Sequence, residues 1–107
     1  MILIKMENGK MTNLTLKYCQ QCVGPGWSGL IKKIYKALPE DAFILQVKEK
    51  FGGLRFCVDN VTMDVYDLID ECEAESYKIC EKCGEPGKPR DGGWILTLCD
   101  KCAEEEK

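Results

Sequence analysis

Cys80-Glu81-Lys82-Cys83 and Cys99-Asp100-Lys101-Cys102 are separated by fifteen residues, and this stretch decides how the chain is read. Two Cys-x2-Cys clips at that separation predict one tetrahedral site with four thiolate ligands, and zinc is the expected ion. Each clip wraps one side of the metal. The segment between them is long enough for a hairpin that returns the chain to the ion. Gly84 follows the first clip and suits a tight knuckle whose backbone N–H groups point at sulfur. Four thiolates fill the coordination sphere, so the site implies structure more readily than chemistry. Four ordinary buried cysteines or a disulfide scaffold are the plainer readings, and an iron centre is the minor metal alternative.

The rest of the composition narrows the function. A chain of 107 residues fits one compact domain, or a small domain with a metal-stapled appendage. It has eight cysteines and no histidine, which removes Ser-His and Cys-His catalysis and every His-ligated metal site. The net charge of −3 weighs against nucleic acid as the default partner, because phosphate binding draws on Lys and Arg. No apolar run reaches membrane-spanning length, and the N-terminal stretch lacks the pattern of a secretory signal. The expected compartment is therefore the cytoplasm, where thiols stay reduced and paired clips hold metal.

Outward from the clips, the apolar pattern predicts an α+β fold. Trp27, Leu30, Ile31, Ile34, Tyr35 and Leu38 form one helical stripe, and Pro39 ends it. Phe43, Leu45 and Val47 alternate with Ile44, Gln46 and Lys48, and Leu54, Phe56 and Val58 with Arg55, Cys57 and Asp59, so each strand carries a period-2 apolar face. The glycines of Lys50-Phe51-Gly52-Gly53 supply the reversal between them. A second helix, capped by Asn60, Thr62 or Asp64, would bury Val65, Leu68, Ile69, Cys72, Ser76 and Ile79 and deliver the chain to Cys80. Gly84 to Gly93 is rich in turn residues, with Asp91-Gly92 a candidate hairpin turn. Trp94 to Leu98 reads as a strand, and a short helix is expected after Cys99. Upstream, Leu14, Leu16 and Tyr18 alternate as an edge strand would. The expected architecture is a helix–β-hairpin–helix body over residues 1–78 and a four-cysteine zinc ribbon, or treble-clef-like unit, over 79–107, packed as one unit.

Three further groups invite a functional reading. Cys19-Gln20-Gln21-Cys22 could be a redox dithiol, but Gly24-Pro25-Gly26 interrupts the helix that would activate it. Alternatively it could join Cys57 and Cys72 around a second zinc ion. Cys72 lies on a buried stripe, where cysteine behaves as a small hydrophobe, and Cys57 lies on the hairpin face opposite Phe56. Lys32, Lys33 and Lys36 on the first helix, with Lys48, Lys50 and Arg55 on the hairpin, could contact phosphates or a protein; as ordinary solvated faces they need no ligand. Trp27 belongs to the core stripe, whereas Trp94, after two glycines, is the better exposed anchor. Asp64, Asp67, Asp70 and Glu71 read as a solvated helix face near a helix start.

Two stretches carry a family resemblance: Val47-Lys48-Glu49-Lys50-Phe51-Gly52-Gly53-Leu54-Arg55-Phe56, and Ile79 to Gly87 with Trp94 to Asp100. Over roughly residues 24–103 the chain resembles small uncharacterised zinc-ribbon proteins of tailed phages and prophages. In similar proteins the last ligand is often histidine and the position of Cys57 often aromatic; here Cys102 keeps a ligand. The resemblance implies an accessory protein acting on host machinery. Together with the sealed metal site, it leads to the expectation of a non-enzymatic binding module for a host or viral protein. A nucleic-acid-binding zinc ribbon is the alternative.

Overall fold

The computed structural model describes residues 3–5, 11–13, 15–90 and 95–105, with the backbone alone for the first two segments. Trp94 and the Asp91-Gly92 turn lie outside the described residues. The fold is α+β, as expected. Its elements are β1 (Leu3–Lys5), β2 (Met11–Asn13), α1 (Leu16–Gln21), a 3-10 turn (Pro25–Trp27), α2 (Ser28–Ala37), β3 (Phe43–Lys50), β4 (Gly53–Asp59), α3 (Met63–Ser76), β5 (Lys88–Arg90), β6 (Leu96–Leu98) and α4 (Asp100–Glu105). β1 to β4 form one sheet in the order β2-β1-β3-β4; β5 and β6 form a separate antiparallel hairpin. No helix among the described residues is long and apolar enough to cross a membrane.

The body core is the α2 stripe laid against the hairpin and α3. Trp27, Leu30, Ile31, Ile34 and Leu38 are all buried, together with Leu54, Phe56, Val58, Val65, Ile69 and Cys72. α2 ends at Leu38, which turns extended ahead of Pro39, because proline disfavours a helical residue before it.

Two expectations are corrected. Leu14 lies outside the described residues, and Leu16 and Tyr18 are not in a strand, because Leu16–Gln21 is helical. Thr15 caps it by accepting the Tyr18 N–H at 3.1 Å. Leu16, Cys19 and Val23 then fall at helical spacing and pack on the core. On β3 the inward face is not Phe43, Leu45 and Val47. Ile44 pairs with Val58 and Gln46 with Cys57, so Leu45 is the extra residue of a β-bulge. The bulge resets the alternation: Ile44 is buried, Leu45 is 58 % exposed, and Val47 turns inward opposite Phe56.

β4 lies at the edge of its sheet, and α3 closes that edge. The Leu54 N–H donates to Ser76 Oγ at 2.9 Å and the Phe56 N–H to Glu73 Oε2 at 2.9 Å. Tyr66 donates its hydroxyl to the Val58 carbonyl. Side chains of one helix thus satisfy groups that would otherwise template another strand.

Candidate metal centre

The chain leaves α3 at Tyr77 and enters a knuckle. Ile79 bridges Pro86, the Cys80 N–H donates to the Glu85 carbonyl at 2.7 Å, and the Gly84 N–H returns to the Cys80 carbonyl at 2.9 Å. Gly84 sits at φ +84°, a backbone conformation that side chains resist. β5 and β6 then carry the chain back. Cys99 follows β6 directly, and Cys102 lies in the first turn of α4, where its N–H donates to Cys99 Sγ at 3.4 Å. Knuckle, hairpin and helix start make the treble-clef-like arrangement.

The four sulfurs of Cys80, Cys83, Cys99 and Cys102 lie within 4.8 Å of one another. A tetrahedral ion with metal–sulfur bonds near 2.3 Å sets its ligands about 3.8 Å apart. Cys83 Sγ and Cys99 Sγ are 3.6 Å apart, so the cage has the right size for zinc. Cys80 and Cys102 are buried, Cys99 is half-buried and Cys83 is exposed.

Proton affinities in the cluster reflect thiols crowded together. Burial resists ionisation of Cys80, but backbone N–H groups of Cys99, Cys83 and Lys82 outweigh it and lower its pKa to about 6. Cys102 is pushed up to about 12, chiefly by hydrogen bonding with Cys99 and then by burial. A few N–H donors can hold one thiolate; a second and third in the same space need a cation. Zinc would supply that charge and hold the knuckle, the hairpin and α4 together, with all four positions occupied by sulfur.

The body packs against this centre at two points. The Gly26 N–H donates to the Glu81 carbonyl at 2.7 Å, and Trp27 Nε1–H donates to the Ile79 carbonyl at 2.9 Å. A Cβ on Gly26 would land on the Cys80 carbonyl oxygen, and one on Gly24 on that of Glu81. At the other point Thr97, fully buried on β6, donates its hydroxyl to the Gly52 carbonyl in the β3–β4 turn. In the sequence Gly24-Pro25-Gly26 shows only as a break after Cys22, and its composition does not point to the knuckle. The available signal was Trp27: a buried indole N–H needs an acceptor, and the acceptor lies on the knuckle.

The other cysteines are not gathered. Among the described residues, Cys80, Cys83, Cys99 and Cys102 are the one group of three or more metal-capable side chains brought together. Cys19 is buried in the body core, Cys72 is buried on α3, and Cys57 is exposed on the outer hairpin face opposite Gln46. Cys19 and Cys22 sit toward the C-terminal end of α1, where the helix dipole disfavours a thiolate. Burial, then the neighbouring Cys22, raises the Cys19 thiol to about 11.

The six basic residues divide between two surfaces. Lys32, Lys33 and Lys36 are exposed on α2, away from its buried stripe. Lys48 and Arg55 are cross-strand partners on the hairpin face turned from the same core. Arg55 reaches the end of α3, donating to the Tyr77 hydroxyl at 2.9 Å. Comparisons with protein-family models, with curated proteins and with solved structures find no match to this chain.

Proposed function

We propose that this chain is a zinc-stabilised, non-enzymatic protein-binding module. In line with its resemblance to phage and prophage zinc ribbons, we place it as an accessory protein acting on a protein of the host cell. The observation that carries the reading is the four-sulfur cage: the ligand atoms lie within 4.8 Å of one another, and an ion bound by all four would have no position left for water or substrate. A second observation supports it. The separation of the basic residues onto two surfaces favours a protein partner over a continuous phosphate track.

The test is site-specific photo-crosslinking of the zinc-loaded chain inside the expected host cell, with benzoylphenylalanine placed singly on α2, α3 and the hairpin. A discrete protein adduct from one face is the expected result. Adducts to nucleic acid with none to protein would overturn it. So would a turnover abolished by Cys83→Ser in a variant that still folds.

A further inference from the structure

The β3–β4 turn presents an aromatic ring in a conformation that packing does not explain. Phe51 and Gly52 are its two central residues, at φ +53° and +83°, so the turn is of type I′. Asn, Asp or Gly ordinarily takes the first of these places, because a bulky side chain is strained at positive φ. Phe51 is nevertheless 64 % exposed and contributes nothing to the core. The backbone of the next residue, Gly52, is held from both sides. The Glu49 carboxylate accepts the Gly52 N–H at 3.1 Å, and the Gly52 carbonyl is fixed by Thr97 of the metal-bearing unit. An exposed aromatic kept in a strained, braced conformation points to function rather than packing.

Its surroundings specify the kind of partner. The Lys50 ammonium lies 5.6 Å from the centre of the Phe51 ring, Lys48 and Arg55 pair across the strands on the same face, with Arg55 also bonded to the Tyr77 hydroxyl, and no carboxylate pairs with any of the three among the described residues. Leu45, set outward by the bulge, lies at the far end of the strip, about 20 Å from Phe51 at strand rise. The exposed acidic residues of α3, among them Asp64, Asp67, Asp70, Glu71 and Glu75, lie on another face. A chain of net charge −3 thus carries a cationic strip with an apolar anchor at each end.

We infer that the outer hairpin face, from Leu45 to Phe51 with Lys48, Lys50 and Arg55 between, docks an acidic protein segment bearing apolar side chains. This rests on the protein-binding reading and deepens it. Carboxylates complement the three cations, and two apolar side chains of the segment seat on Leu45 and Phe51. Three cations and one ring are a short track for phosphates but a complete one for such a segment.

The experiment measures fluorescence anisotropy of a labelled 16-residue peptide alternating Asp or Glu with Leu or Trp, titrated with the zinc-loaded chain. Probes for comparison are a 16-residue polyglutamate, the same peptide with Lys at every acidic place, and a 16-nucleotide oligothymidylate. The acidic apolar peptide is expected to bind tightest. Lys48→Glu with Lys50→Glu should weaken it at least tenfold, and Lys32→Glu with Lys36→Glu less than twofold. Phe51→Gly should weaken binding at least fivefold while raising the melting temperature by about 4–8 °C, because glycine relieves the positive φ. A role in folding alone would move the two readouts together.

No binding of the peptide at 1 mM, full binding by Phe51→Gly, or tighter binding of the oligothymidylate would each overturn the inference. Crosslinking separates it from the broader reading. Protein adducts from α2 or α3 with none from position 51 would sink this surface and leave the protein-binding module standing.

Discussion

Gly26 and Gly29 are three residues apart, and replacing each with alanine should have opposite effects. At Gly26 the added methyl would fall on the Cys80 carbonyl oxygen, 2.6 Å from the Gly84 nitrogen and 2.7 Å from the Glu81 carbonyl carbon. All three are backbone atoms of the knuckle, so no side chain can swing aside, and the knuckle must retreat by about 1 Å to restore ordinary contact. That retreat breaks the Gly26 N–H bond to Glu81, at a cost of about 1 kcal/mol. It also strands the buried Trp27 indole N–H, now bonded to Ile79, at a cost of about 1–3 kcal/mol. With some loss of packing, Gly26→Ala should destabilise the chain by roughly 3–5 kcal/mol, a large share of what a small domain has. At Gly29, by contrast, a Cβ meets nothing within 4 Å, and the residue lies in the first turn of α2. Gly29→Ala should stabilise by about 0.5–1 kcal/mol through the unfolded chain. Urea unfolding at saturating zinc reads both signs, and chelator competition reads whether the knuckle loosens its metal. If Gly26→Ala matches wild type within about 0.5 kcal/mol and holds zinc as tightly, the knuckle does not rest on this loop and the reasoning fails.

Three further outcomes follow from the same contacts. Iodoacetamide on the zinc-loaded chain should label exposed Cys57 first. Cys22 should lag, its rate still climbing above pH 9 because burial raises its thiol, and chelation should open the four clip cysteines to reagent while Cys72 stays protected; peptide mapping across pH checks the order. Ser76→Ala should cost about 1–3 kcal/mol in urea unfolding by leaving the buried Leu54 N–H without an acceptor, and combining it with Glu73→Ala should bare the β4 edge and produce dimers in sedimentation velocity. Glu81 has its pKa raised to about 7 by burial, then by Glu49 and Cys80, so the fold favours the protonated acid. The stability that Glu81 contributes should be lost as pH rises from the ordinary carboxylate range through about 7, so Glu81→Gln should melt higher than wild type at pH 8.5 but less so at pH 6.

The parts of the fold legible in the sequence are those set by local spacing. Trp27 to Leu38 could be read as a buried stripe because its apolar residues recur at helical intervals with polar lysines between, and no other period fits. The metal ligands could be read because a clip of two thiols is local and the return distance suits a hairpin. The inner face of β3 is ambiguous in the sequence because Phe43-Ile44-Leu45 offers an apolar residue at every position; the bulge at Leu45 settles the choice through pairing with β4. The first helix was misread because Leu14, Leu16 and Tyr18 satisfy a period of two while Leu16, Cys19 and Val23 satisfy a helical one. The Thr15 cap decides between them. The strands at Leu3–Lys5 and Met11–Asn13 are three residues each, too short for any period to show.

What spacing could not convey is why the metal centre sits where it does. Gly24, Gly26, Gly52 and Thr97 each look like turn or strand residues, and their partners lie 45 to 57 residues away in the chain. Together they tie the knuckle to the start of α2 and β6 to the tip of the hairpin. An ion held by the clips would therefore also set the ground on which the β3–β4 turn rests. The sealed coordination sphere and the strained, exposed Phe51 then belong to one device. An ion bound there by four sulfurs would stiffen the platform from which an otherwise costly turn conformation is presented. On this account the four cysteines affect binding through the backbone of residues 50–53, and no ligand of the metal needs to touch the partner.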